Sequence, residues 1–163
     1  MGYSYLTLPE LMSIPLPPIT EQKRLYFRPP ARFVHHVYEL INFYVFNNEL
    51  KKPTIIIAPR RRNYWGMCIG HTHVQRTGSY CDINLMDKWI SIQWMVATLA
   101  HEMAHQYQWD ILGPERHYEG KDFLMSHGPS FFMFREVLEQ HCIPLKTAHS
   151  QRRWYKHQDL FKT

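Results

Sequence analysis

Cysteine is scarce. The 163-residue chain has three, Cys68, Cys81 and Cys142, and no C-x-x-C pair. An odd count without such pairs excludes a disulfide framework and a four-cysteine zinc ribbon. The expected state is reduced and the expected location intracellular, in the cytoplasm with access to nucleic acid. The spacing leaves a Cys68–Cys81 bridge open. Long apolar runs are missing too: no stretch approaches about 18 consecutive apolar residues, so no membrane span is expected. The opening MGYSYLTLPELMSIPLPP lacks the basic n-region and apolar core of a secretory signal. Leu6 stands where a myristoylation pattern needs Ser or Thr. There are no internal repeats and no low-complexity tracts, which argues against solenoids and arrays.

What is present fits a globular domain. Hydrophobic residues make up 45% of the chain and charged residues 20%, close to globular norms, so wholesale disorder is excluded. At roughly 150 residues per domain, one domain is expected, large enough to bury a core without staples. The net charge of +5 suits contact with nucleic acid or acidic surfaces, and equally suits simple solubility. Eleven histidines are many for this length and direct attention to metal binding or pH sensing.

Along the chain, residues 1–30 hold six of the eleven prolines. Proline removes a backbone donor and disfavours helix at the preceding residue. The segment reads as an extended arm, docked through Leu6, Leu8, Leu11 and Ile14. Residues 31–145 read as the folded domain, and residues 146–163 as a basic, aromatic tail. Phe33, Val37, Leu40, Ile41 and Tyr44 recur at helical spacing, predicting a helix over Arg32 to Phe46. Thr54 to Ala58 reads as a buried strand, Tyr64 to Ile69 as a second and Tyr80 to Leu85 as a third. His71 to Val74 is a candidate fourth. Ser91 is placed to cap a long helix ending near Trp109. Gly128 to His141 reads as a last helix, with Pro129 tolerated in its first turn. The order of elements is that of an α+β fold with one small sheet of three to four strands.

The long helix carries His101-Glu102-Met103-Ala104-His105, an H-E-x-x-H pattern. Residues four apart on a helix differ by about 40° in direction and one turn in height, so both imidazoles can reach one metal ion. Glu102 lies about 100° round from His101, at the edge of that face, where it can act as a base without being a ligand. Ile92, Met95, Val96, Leu99 and Met103 fall roughly 120–220° away and form a core-facing stripe. Trp94, Thr98 and Gln108 share the histidine side. Catalytic zinc needs three protein ligands and one open position. Downstream donors are His117, Glu119, Asp122, His127 and His141. His127, at a loop-to-helix junction beside Gly128, is best aimed, and Glu119 is its main competitor.

Leu99 to His105 followed by His127-Gly128-Pro129-Ser130-Phe131 resembles the SprT-like metalloprotease family. Phe46-Asn47 with Leu50 and Pro53, Gly66-Met67-Cys68 and Ile83-Asn84-Leu85 resemble further marks of that family. The likeness spans about residues 30–142. H-E-x-x-H is shared by many metalloproteases, so the H-G-P-x-F junction is the more telling part. The resemblance implies a zincin-like minimal metalloprotease domain, with zinc held by His101, His105 and His127 and Glu102 as general base. It also implies action on proteins bound or crosslinked to DNA. The chain departs from many family members in lacking the cysteines of a C-terminal zinc ribbon, so DNA contact would fall to the domain itself or its basic ends.

The expected reaction is hydrolysis of a peptide bond in a protein substrate, by a monomer with no membrane contact. Tyr118 and His117, between the ligands, are candidate oxyanion stabilisers. Arg60, Arg61, Arg62, Arg152 and Arg153 are candidate phosphate contacts, and Trp154 a candidate stacking platform for unpaired bases. Two other readings stay open. One is a nucleic-acid-binding module with a structural zinc, against which the retained Glu102 argues. The other is a protease with one dedicated partner and no DNA involvement.

Overall fold

A computed structural model describes residues 6–16, 27–59, 65–113 and 126–147. Its elements in chain order are α1 (Leu8–Met12), α2 (Ala31–Val45), β1 (Thr54–Ile57), β2 (Gly66–Gly70), β3 (Cys81–Leu85), α3 (Ile92–Asp110), α4 (Pro129–Phe132) and α5 (Arg135–Gln140). This is the α+β layout expected from the sequence, with a small sheet laid against the long helix.

The strand order is β1-β3-β2. β3 pairs in parallel with β1, Ile55 opposite Ile83, and antiparallel with β2, Cys68 opposite Ile83. Cys81, Ile83 and Leu85 alternate inward and are fully buried. Gly66 and Gly70 lie so close to α3 that side chains there would meet Thr98, Glu102 and Trp109. Their small size is what lets β2 pack directly on the helix.

α3 begins where the sequence marks it. The Ser91 hydroxyl accepts from the Trp94 N–H, satisfying one of the open donors of the first turn. The stripe Ile92, Met95, Val96, Leu99 and Met103 is buried as expected. The opposite face is buried as well, since Trp94, Thr98, His101, Glu102 and Gln108 are all enclosed. α3 is therefore a central helix, walled by the sheet on one side and by α1, α2 and α4 on others.

Four expectations are corrected. The strand at Thr54–Ile57 is not buried; β1 lies at the sheet edge, half-buried at Ile55 and Ile57 and exposed at Ile56. His71 to Val74 is not a strand; it belongs to the connection between β2 and β3, which turns at Gly78 with φ of +89°. The last helix is two short helices, because Met133-Phe134 form a turn that sends the Phe134 ring against Phe46 and Tyr107, at 4.5 and 4.7 Å between centroids. The extended arm contains a helix at Leu8–Met12. The Thr7 hydroxyl accepts from the Glu10 N–H, and Pro9 occupies the first turn, where its missing N–H costs nothing. Leu8 and Leu11 are fully buried, with Leu6 and Ile14 packed beside them, so the docking itself is as expected. Gln93 donates to the Ile14 carbonyl and His36 Nε2 meets the Leu6 carbonyl, tying this segment to α3 and α2.

All three cysteines are free thiols. No helix among the described residues is long and apolar enough to cross a membrane.

Candidate metal centre

His101 and His105 stand one turn apart on α3, and His127 arrives just before α4. Their ring nitrogens gather at one point. His127 Nε2 lies 3.4 Å from His101 Nε2 and 3.2 Å from His105 Nε2, and the three donor atoms all fall within 4.8 Å of one another. His101 is 6% exposed, His105 half-buried and His127 exposed, so the cluster is rooted in the core and opens to solvent on the His127 side.

The other ring nitrogens are held in place. His101 Nδ1 donates to the Lys146 carbonyl at 2.8 Å, and His105 Nδ1 donates to Gln108 Oε1 at 2.9 Å. An oxygen acceptor requires the proton on Nδ1. That choice of tautomer leaves both Nε2 lone pairs directed at the common point. Partial desolvation at the mouth of the cluster lowers the His127 pKa, which favours the neutral, ligating form of that ring. Phe131 packs against all three: stacked on His105 at 4.5 Å with a 27° tilt, and edge-on to His101 and His127 at 4.8 and 4.9 Å. It limits how far any of the rings can swing.

These residues fit a divalent metal. Zinc bonded to imidazole at about 2.0–2.1 Å in tetrahedral geometry sets neighbouring donors about 3.3–3.4 Å apart. The separations of 3.2 and 3.4 Å match that edge. The Nε2 lone pairs of His101 and His105, with His127 Nε2 beside them, would be satisfied together by a shared cation.

Glu102 is 5% exposed, with Oε1 4.0 Å from His101 Nε2. Burial raises its pKa to about 8, against the opposing effect of a hydrogen bond from the Cys68 backbone N–H. Gly66 provides the space: a Cβ there would come within 3.1 Å of Glu102 Cγ and 3.2 Å of Oε1. The first strand residues of β2 thus form the seat of the carboxylate.

Of the other candidates, His141 packs its ring against Tyr44 and is not part of the cluster. His117, Tyr118, Glu119, Asp122, Arg60, Arg61, Arg62, Arg152, Arg153 and Trp154 lie outside the described residues. Sequence reasoning did not assign site roles to Gly66, Gln108, Ser130, Phe131 or the Lys146 carbonyl. Some carried a signal. Gln108 is three residues beyond His105, and Ser130 and Phe131 are three and four beyond His127, the spacings at which neighbours meet on a helix. Lys146 contributes through its backbone, which leaves no mark in a sequence.

A long helix presenting H-E-x-x-H beneath a small mixed sheet, closed by a third histidine from the turn that leads into a later helix, defines a zincin-like domain. The SprT-like family matches residues 34–149, and the chain belongs to that family. The family is of zinc metalloprotease type. No match was found among curated proteins.

Proposed function

We propose that the protein is a zinc-dependent peptidase in which His101, His105 and His127 hold the metal and Glu102 is the general base. The observation that carries this reading is the convergence of three Nε2 atoms beside a buried carboxylate. A structural zinc needs no neighbouring base, whereas Glu102 is kept in the interior against the cost of burying an ionisable group. Bound zinc supplies Lewis-acid polarisation of the scissile carbonyl and acidifies water toward neutral pH.

The chain's own groups account for the proton traffic. Glu102 accepts a proton from the attacking water and returns it to the leaving amine, and burial makes it a stronger base than an exposed carboxylate. The Cys68 N–H and the space at Gly66 hold it in one orientation. His101 and His105 keep their Nδ1 protons throughout, on the Lys146 carbonyl and Gln108. Tyr118 and His117 are the proposed donors to the developing oxyanion.

Glu102→Gln is expected to retain zinc and lose at least about 100-fold in cleavage of a casein substrate. His127→Ala is expected to lose zinc. Equal, metal-bound inactivity of wild type and Glu102→Gln would favour the structural-zinc reading. Zinc loss in Glu119→Ala but not in His127→Ala would replace the third ligand.

The finer reading, that substrates are proteins bound or crosslinked to DNA, rests on family membership and the net charge of +5. Phosphate contacts by Arg60, Arg61 and Arg62 or by Arg152 and Arg153 would make binding to single- or double-stranded DNA fall steeply with added salt. No binding at low salt would favour a dedicated protein partner.

A further inference from the structure

Gln108 and Ser130 are buried polar residues, 2% and 4% exposed, next to the metal centre. They belong to different segments: Gln108 to the last turns of α3, Ser130 to α4, three residues after His127. Gln108 Nε2 donates to Ser130 Oγ at 2.8 Å, while Gln108 Oε1 accepts from His105 Nδ1 at 2.9 Å. One amide therefore spans from the second histidine to the helix that follows the third. We propose that Ser130, Gln108 and His105 form a positioning relay that sets the tautomer and orientation of the His105 ring and locks it in register with His127. The inference rests on the metal-centre reading above and adds two residues to it.

The physical basis is the two-sidedness of the carboxamide. Its oxygen takes the Nδ1 proton, which commits the Nε2 lone pair to the metal. Its nitrogen is tied to Ser130, so the amide cannot rotate without breaking a buried hydrogen bond. Because Ser130 sits on the same short segment as His127, a shift in either ligand strains the bond between them. His101 uses a different device, the Lys146 carbonyl, and does not depend on this relay.

Metal affinity and spectroscopy test the relay. Zinc affinity would be measured by competition with a chromogenic chelator, alongside the visible spectrum of the cobalt-substituted protein. Gln108→Leu removes both hydrogen bonds at similar volume and is expected to weaken zinc binding about 10–100-fold. It should also alter the cobalt spectrum at saturation, a change that lost fold stability alone would not produce. Gln108→Glu keeps the acceptor for Nδ1 and should restore affinity to within about threefold of wild type. Ser130→Ala, which removes one oxygen, should weaken binding several-fold, and adding it to Gln108→Leu should cost no more. Should Gln108→Leu fail to fold, Ser130→Ala and Gln108→Glu still decide.

Wild-type affinity and spectrum in Gln108→Leu would overturn the relay while leaving the metal centre standing, as would additive losses in the double variant. Failure of the wild type to bind zinc would instead overturn the metal-centre reading, and the relay with it.

Discussion

Glu102 is an ionisable side chain almost wholly withdrawn from bulk solvent, 5% exposed. Its pKa in the folded chain is about 8, above the usual carboxylate range it shows when unfolded. A group shifted this way stabilises the fold fully below its unfolded pKa, and that contribution is lost as pH rises through the folded value. Glu102 should therefore contribute a loss of stability between about pH 5 and pH 8 in metal-free protein, while the lowered pKa values of His127 and His35 act in the opposite direction. Glu102→Gln should remove most of that slope and melt several degrees above wild type at pH 8 (scans of chelator-treated protein across this range check it). Gly66 tests the same site from the opposite wall. Gly66→Ala places a Cβ 2.8 Å from Thr98 Cγ2 and 3.1 Å from Glu102 Cγ, so Thr98 must shift and the Glu102 side chain is crowded out of its seat by a smaller displacement. Turnover should fall at least tenfold, with a stability cost of about 1–3 kcal/mol. Zinc affinity should stay near wild type, because no ligand is touched. His101, Glu102 and His105 were legible as a set because an H-E-x-x-H spacing has one geometric meaning on a helix, whereas His127 was one of five downstream donors that helical spacing could not rank. Gly66 was not, because its contact with Glu102 joins positions far apart in the chain.

Among the elements, α3 was the most readable and α1 the least. α3 has a capping serine, a long apolar repeat and a clear stop near Gly113. Its burial on every side was not readable, since Gln93, Thr98 and Gln108 look like surface residues until their partners are known. α1 is five residues in a proline-rich stretch, too short to leave a periodic signal. It lies outside the matched residues 34–149, yet Leu8 and Leu11 are fully buried against the domain. It is thus a structural part of this protein. Leu11→Ala should cost about 2–5 kcal/mol in denaturant unfolding, as a core truncation does. An exposed, dispensable arm would give almost no change. The break between α4 and α5 has a similar lesson. Phe131, Phe134 and Leu138 keep helical spacing, but Phe134 leaves the helical path to reach Phe46 and Tyr107.

For the whole molecule, the proposed metal would join two parts of the chain otherwise linked here by side-chain contacts: the core helix α3 and the segment leading into α4. A ligand that binds only the folded form stabilises it by mass action, by about 2.7 kcal/mol at a free concentration one hundred times its dissociation constant. Chelation should lower the melting temperature, and restored zinc should raise it again in proportion to the logarithm of its concentration. His127→Ala should abolish most of that response. A melting temperature indifferent to zinc and to chelator would mean that the site does not hold metal in solution.

The sequence by itself determined the α+β class, the three strands, the long capped helix and the chemical types gathered on it. These follow from local spacing, because hydrophobic period, capping and the pitch of a helix act over a few residues. Tertiary structure decided the rest. It brought His127 to the pair on α3, placed Glu102 under the backbone of β2, and used the carbonyl of Lys146 and the amide of Gln108 to orient the rings. Those arrangements depend on packing between distant segments, and packing is specified by the whole core rather than by any one stretch of it.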